Sequence, residues 1–200
     1  MSTNYKLAVF ASHSGSDLQS IIDASLTPGY PAEIVVVVGN NKKAFALERA
    51  GNAEIPTILW QRKNFESDED YADFMYQKLR EFNVDLICLA GYMKLIPAKI
   101  VRDFTIINIH PALLPKYGGQ GMYGLHVHEA VIAAGEKETG VTVHMVNELY
   151  DDGRILAQEI VPVVPDDTPE VLQQRVLDVE HRFYPETIAK IARGEIKLHE

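Results

Sequence analysis

The sequence predicts an α/β fold: an open, mostly parallel twisted sheet with helices on both faces. Three observations predict it. Short β-rich runs alternate with amphipathic stretches along the 200 residues, the pattern of a parallel sheet covered on both sides. The run Ile34–Val38 is wholly β-branched, as in strands buried on both faces. Gly15-Ser16-Asp17 stands between a strand at Leu7–Phe10 and a helix through Leu18, Ile21 and Ile22, the strand–turn–helix order of such folds.

The remaining elements follow in order. A weak third strand is expected near Ile55–Leu59. Ser67 and Asp70 form a capping pair for a helix whose stripe is Tyr71, Phe74, Met75, Leu79 and Phe82. Strands are expected at Asp85–Leu89 and Phe104–Ile109. Val141–Val146 and Ile155–Val161 read as a strand pair separated by the turn Asp151-Asp152-Gly153. Thr168 before Pro169 has the cap-and-proline order of a helix start, and Pro185 is expected to kink or restart that last helix. No repeat, low-complexity segment or linker divides the chain.

Composition is that of a globular protein, 46% hydrophobic and 24% charged, and long enough for one domain with a real core. A formal charge of −9 argues against nucleic acid as partner, but not against a small anion held by backbone dipoles. The one cysteine, Cys88, lies in the apolar run Leu86–Leu89 and reads as a core thiol, with no disulfide possible within the chain. No apolar run approaches a membrane span and no leader opens the chain, so a cytoplasmic protein is expected. Monomer and homodimer are both compatible with these features.

The most informative segment is Asn108-Ile109-His110-Pro111-Ala112-Leu113-Leu114-Pro115. Two prolines end the strand, and alternation puts Asn108 and His110 on one face, where ligands bind in open α/β sheets. A carboxamide N–H suits a developing oxyanion, and an imidazole exchanges protons near neutral pH. As an isolated pair they would be a strand cap and a pocket wall. Asp151, in a turn after another strand, supplies the carboxylate that orients an imidazole and raises its pKa. Such a set suits acyl transfer between nitrogens with no serine or cysteine nucleophile. Gly15-Ser16-Asp17 is a phosphate cradle or a plain helix cap; it lacks the first glycines of a dinucleotide fingerprint. His126 and His128 diverge by roughly 200° on a helix, and no cysteine or helical His-x-x-x-His supports zinc, so no metal site is expected. His144 points either into the cleft or out of it. Tyr117–Gly124, rich in glycine, is a lid or a surface loop.

Five segments together resemble the phosphoribosylglycinamide formyltransferase family: Gly15–Gln19, Leu89–Ile96, Asn108–Tyr117, Tyr150–Gly153 and Glu180–Pro185. They run in family order over nearly the whole length. The resemblance implies one formyltransferase domain over residues 1–200, its phosphate-binding half at about 1–100 and its folate and catalytic half at about 101–200. It implies formyl transfer from 10-formyltetrahydrofolate, as cosubstrate, to the amine of phosphoribosylglycinamide in purine biosynthesis, with no metal. His110 would be the proton donor, Asn108 the amide that steadies the formyl oxygen, and Asp151 the carboxylate that raises the histidine's pKa. Gly15, Ser16 and Asp17 would hold the substrate phosphate and Glu180 would contact the ribonucleotide. Met93, Lys94, Leu95 and Ile96, with Asn108, would bind the folate.

The chain departs from the family pattern at four places: His13 and Ser14 in the phosphate turn; Asp68, where an arginine is common, with Arg62 or Lys63 as substitute cations; a longer loop at Gly118–Tyr123; and Asp152 in place of a glycine. A formyltetrahydrofolate hydrolase or a methionyl-tRNA formyltransferase would need a further domain and is disfavoured on length. A non-catalytic nucleotide-binding domain has no use for Asn108, His110 and Asp151 together.

Overall fold

Why the central strands form is visible in their alternation. In the computed structural model, which describes residues 4–198, the strands are β1 (Tyr5–Ala11), β2 (Ala32–Gly39), β3 (Thr57–Leu59), β4 (Leu86–Leu89), β5 (Ile106–His110), β6 (Glu138–Met145) and β7 (Ile155–Pro162). The helices are α1 (Ser16–Ser25), α2 (Phe45–Asn52), α3 (Asp68–Glu81), α4 (Ala98–Asp103), α5 (Leu125–Ala133) and α6 (Pro169–Ala192). Leu7, Val9 and Ala11 of β1 pack with α1 and α6, whereas Ala8 and Phe10 pack on the opposite face with Tyr71, Met75 and Leu79 of α3. Successive side chains point to opposite faces, so a strand apolar at every position needs helices on both. Cys88 is fully buried in the first of these layers, and burial pushes its thiol up.

The sheet has seven strands in the order β3-β2-β1-β4-β5-β6-β7. Pairings from β3 to β5 are parallel; β6 is antiparallel to both β5 and β7. Strand order reverses between β1 and β4, which opens a crevice at their carboxyl ends.

Several boundaries move. The third strand starts at Thr57 because Pro56 has no N–H to give the ladder. Asp85 lies outside β4 and accepts from the Lys6 N–H (2.8 Å). The strand expected from Phe104 begins at Ile106 and includes His110. Ser67 Oγ accepts from the Asp70 N–H (3.0 Å) and donates to its carboxylate (2.6 Å), so the capping pair is present. Thr168 Oγ1 accepts from the Val171 N–H. Pro185 does not interrupt α6, which runs unbroken from Pro169 to Ala192. The proline is buried, and its carbonyl accepts from the Tyr30 hydroxyl (2.9 Å), so packing against α1 and its loop holds the helix through it. The helices α2, α4 and α5 are not marked by the sequence pattern. They are short or rich in β-branched residues, and tertiary packing decides them.

Candidate active site

Because β1, β4 and β5 are parallel, the segments that follow them emerge on one edge of the sheet. Ser12, buried just after β1, joins two of these segments: its N–H donates to the Gly91 carbonyl (3.3 Å) and its Oγ accepts from the Met93 N–H (2.8 Å). Met93, Lys94 and Leu95 are exposed beyond β4, whereas Ile96 is buried in the core. Leu95 is an exposed apolar side chain, at 57% exposure.

The turn after β1 requires a glycine twice over. Gly15 caps α1 with φ 69° and ψ 36°, the left-handed region. A Cβ there would also lie 2.7 Å from Ala46 Cβ. The turn is tied to α2 by Ala46 N–H to the His13 carbonyl (3.1 Å) and Arg49 Nε–H to the Ser14 carbonyl (2.8 Å). The His13 and Ser14 side chains are exposed, so these two departures leave the backbone of the turn in place. Gly15→Ala should destabilise the protein by about 1–3 kcal/mol, read from the urea midpoint at unchanged slope; an unshifted midpoint would show that the turn relaxes freely.

Ser16 and Asp17 open α1, and α6 brings Glu180 to the same place. Burial raises the Asp17 carboxyl to about 6 against an opposing pull from His181. Glu180 is 7% exposed, and burial, with the nearby Asp17 charge, pushes its carboxyl well up. The four residues assigned to the ribonucleotide therefore converge.

The strand end is a second cluster. Asn108 pairs with His144 and His110 with Thr142 across the antiparallel β5–β6 ladder. His144 Nδ1–H donates to the Met145 carbonyl (2.8 Å), which leaves Nε2 to accept from Asn108 Nδ2 (3.1 Å). His110 Nε2–H donates to the Tyr117 carbonyl (2.7 Å), so its Nδ1 faces Asp151 Oδ2 at 3.6 Å. Asp151 Oδ1 lies 3.5 Å from His144 Nε2, and Oδ2 accepts from the Gly119 N–H (2.9 Å). Asp151 holds φ 53°, a conformation an aspartate tolerates better than most residues. Gly153 closes this turn where a Cβ would lie 1.8 Å from the Met145 carbonyl. Asp152 accepts from Asn147 Nδ2 (3.2 Å).

Electrostatics correct one expectation. Burial lowers the His110 pKa below its ordinary value; Asp151 and the Tyr117 carbonyl oppose this but do not overcome it. Asp151 therefore does lift His110, while burial keeps the imidazole below its ordinary value. Burial alone would raise the Asp151 carboxyl; His144 and His110, when they carry a proton towards it, and the Gly119 N–H hold it below the usual range.

Some participants were not assigned from sequence. His144 is 2% exposed and joins Asn108 to Asp151. Thr142 Oγ1 donates to the Ala112 carbonyl (2.6 Å) and accepts from the Leu114 N–H (3.1 Å) and Gln158 (2.9 Å), which fixes the segment after His110. Tyr117–Gly119, the start of the glycine-rich loop, is bound to His110 and Asp151 through its backbone. Arg62 contacts Asp68 and donates to the Phe65 carbonyl (2.8 Å). His126 is exposed beside Glu129, and His128 is buried; they diverge on α5 as the spacing predicts. Among the described residues no three His, Cys, Asp or Glu side chains are placed to hold a metal ion.

Burial, with a further push from His110, lowers His128 to about 4. Its folded value lies below the unfolded one, so its contribution to stability is complete above about 6.5 and is lost as pH falls towards 4. Urea midpoints at pH 7.5 and 5 should show a larger acid loss for the wild type than for His128→Phe. Equal losses would place the acid sensitivity elsewhere.

A mostly parallel sheet with a phosphate-type turn and an amide–imidazole–carboxylate cluster on one edge defines a group-transfer enzyme of the open α/β class. The chain belongs to the formyl transferase family, which it matches over residues 5–188. Among its relatives it is 41% identical over 195 residues to phosphoribosylglycinamide formyltransferase of Haemophilus influenzae, covering 96% of this chain and 90% of that protein. It is 44% identical over 193 residues to the chloroplastic phosphoribosylglycinamide formyltransferase of Vigna unguiculata, covering 96% of this chain but only 62% of the plant protein's length. The crystal structure of phosphoribosylglycinamide formyltransferase from Brucella melitensis superposes with a TM-score of 0.87 at 42% identity, over 95% of this chain and 96% of that one.

Proposed function

We propose that this chain transfers the formyl group of 10-formyltetrahydrofolate to the amine of 5'-phosphoribosylglycinamide, giving formylglycinamide ribonucleotide and tetrahydrofolate in purine biosynthesis. One observation carries the reading: His144 joins Asn108 to Asp151, and Asp151 faces His110, at the carboxyl end of β5, on the same edge of the sheet as the phosphate-type turn that follows β1. The amine attacks the formyl carbon, and one Asn108 N–H is directed to the oxygen that becomes the oxyanion. The new C–N bond forms, the bond to the folate nitrogen breaks, and the amine's proton must reach that nitrogen. A neutral His110 accepts it, with Asp151 beside Nδ1 to stabilise the imidazolium, and passes it on. His110 thus acts first as base and then as acid.

Ser16 and Asp17 backbone N–H groups hold the phosphate at the amino end of α1; an anion found elsewhere in a liganded crystal would refute this. Glu180 contacts the ribonucleotide, and Met93 to Ile96 with Asn108 receive the folate. Residues 1–200 act as one domain, whose phosphate-binding and folate halves contribute to both subsites. Enzyme as monomer or homodimer would serve equally, to be read by sedimentation. The single buried thiol suits the cytoplasm; fractionation tests that location. No helix among the described residues is long and apolar enough to cross a membrane.

The deciding experiment follows the absorbance of the folate product with and without the ribonucleotide. Product only in its presence is expected. Product in its absence means hydrolysis, and none in either case means a binding domain.

A further inference from the structure

At the amino end of α1 two buried polar atoms face each other with no hydrogen-bond partner. They are Asp17 Oδ1 and His181 Nε2, 3.8 Å apart. Buried polar atoms are nearly always satisfied, so such a pair calls for a cause. A proton on the imidazole would compensate both, since opposite charges at this distance attract strongly when shielded from water. His181 also lines an open cavity of about 370 Å³ with Ser16, Gln19, Ser20, Asp23 and Arg49, beside the first turn of α1.

We propose that His181 is the second positive group, with Arg49, of the pocket that receives the substrate phosphate, and that it takes up a proton beside Asp17 when the ribonucleotide binds. This rests on the function proposed above. The pocket needs such a group. Arg49 is already engaged with the Ser14 carbonyl, Gln19 Oε1 and the Phe45 ring, and the helix end contributes only about half a charge. Against these stand Asp17 and Asp23 on α1 and Glu180 on α6. The neighbouring groove adds Glu186 and the cations Arg182, Lys190 and Arg193 at the far side of His181; Arg182 is held by Glu159 and Glu186, and Arg193 lies beside Glu195. A phosphate near dianionic at pH 7 adds more negative charge. Arriving negative charge raises the proton affinity of every group beside it. His181 and Asp17 therefore bind protons more tightly in the complex, and affinity falls as pH rises through their titration.

The test titrates the His181 ring by NMR in the unmodified enzyme, with and without inorganic phosphate. It also compares calorimetric affinities for glycinamide ribonucleotide and its dephosphorylated nucleoside between about pH 6.5 and 8.5, above the phosphate's own ionisation. Phosphate should raise the His181 midpoint by about one unit, and the ribonucleotide-to-nucleoside affinity ratio should fall at least about fivefold across the range. In His181→Gln that slope should shrink to less than about twofold, and Asp17→Asn should lower the His181 midpoint in the free enzyme. A midpoint unmoved by phosphate, or an unchanged slope in His181→Gln, overturns the inference. If formylation proceeds with an unmoved midpoint, this inference fails alone. If the ribonucleotide is neither bound nor formylated, the proposed function fails, and the phosphate titration still decides the role of His181.

Discussion

Asp151→Asn should bind the ribonucleotide with near-normal affinity yet turn over at least about 10² more slowly. The substitution preserves shape, and the carboxamide oxygen can still accept from the Gly119 N–H that Asp151 holds at 2.9 Å. What it removes is the charge beside His110 Nδ1. His110 is already below its ordinary pKa because it is buried, and Asp151 is the main force acting the other way. Without it the imidazolium formed during transfer is less stable. The sign for pH follows. The neutral imidazole is the competent form at the start of the reaction, so kcat/KM in the wild type rises with pH through the His110 value in the free enzyme and is flat above it. In Asp151→Asn that limb moves to lower pH while the plateau falls. A pH profile of kcat/KM with a calorimetric affinity measures both. Near-normal turnover, or an acid limb moved upwards, would remove Asp151 from the proposed role.

Asn108→Asp should lower kcat by about 10²–10³, the range for loss of one oxyanion donor. The variant is nearly isosteric but sets a carboxylate where an amide N–H stood. That N–H now faces His144 Nε2 at 3.1 Å, and a carboxylate there would face a ring acceptor unless His144 gained a proton. Asp151 lies on the same ring, so two carboxylates would compete for that proton. Steady-state kcat with folate affinity checks the prediction. A kcat within about tenfold of wild type would mean that another donor holds the formyl oxygen.

The β-rich runs and helical stripes determined the fold class because alternation and 3.6-residue periodicity are local signals. Ile34–Val38 marked a strand of the central sheet, buried from Val36 to Val38, and Ser67 with Asp70 marked a helix start. Asn108 and His110 were legible for the same reason, two apart at a strand end stopped by proline. Tertiary structure alone decided what surrounds them. His144 faces Asn108 because β6 runs antiparallel to β5 in a particular register, and a one-residue slip would turn it to the other side of the sheet. Burial likewise belongs to the folded chain. From sequence Asp151 was expected to raise the His110 pKa, but desolvation by surrounding layers, which no local pattern encodes, outweighs it. The meeting of Asp17 with His181, from helices far apart in sequence, has the same origin. Sequence determined which groups could act and on which edge of the sheet; only packing across the sheet and between α1 and α6 decided which of them touch and which are charged.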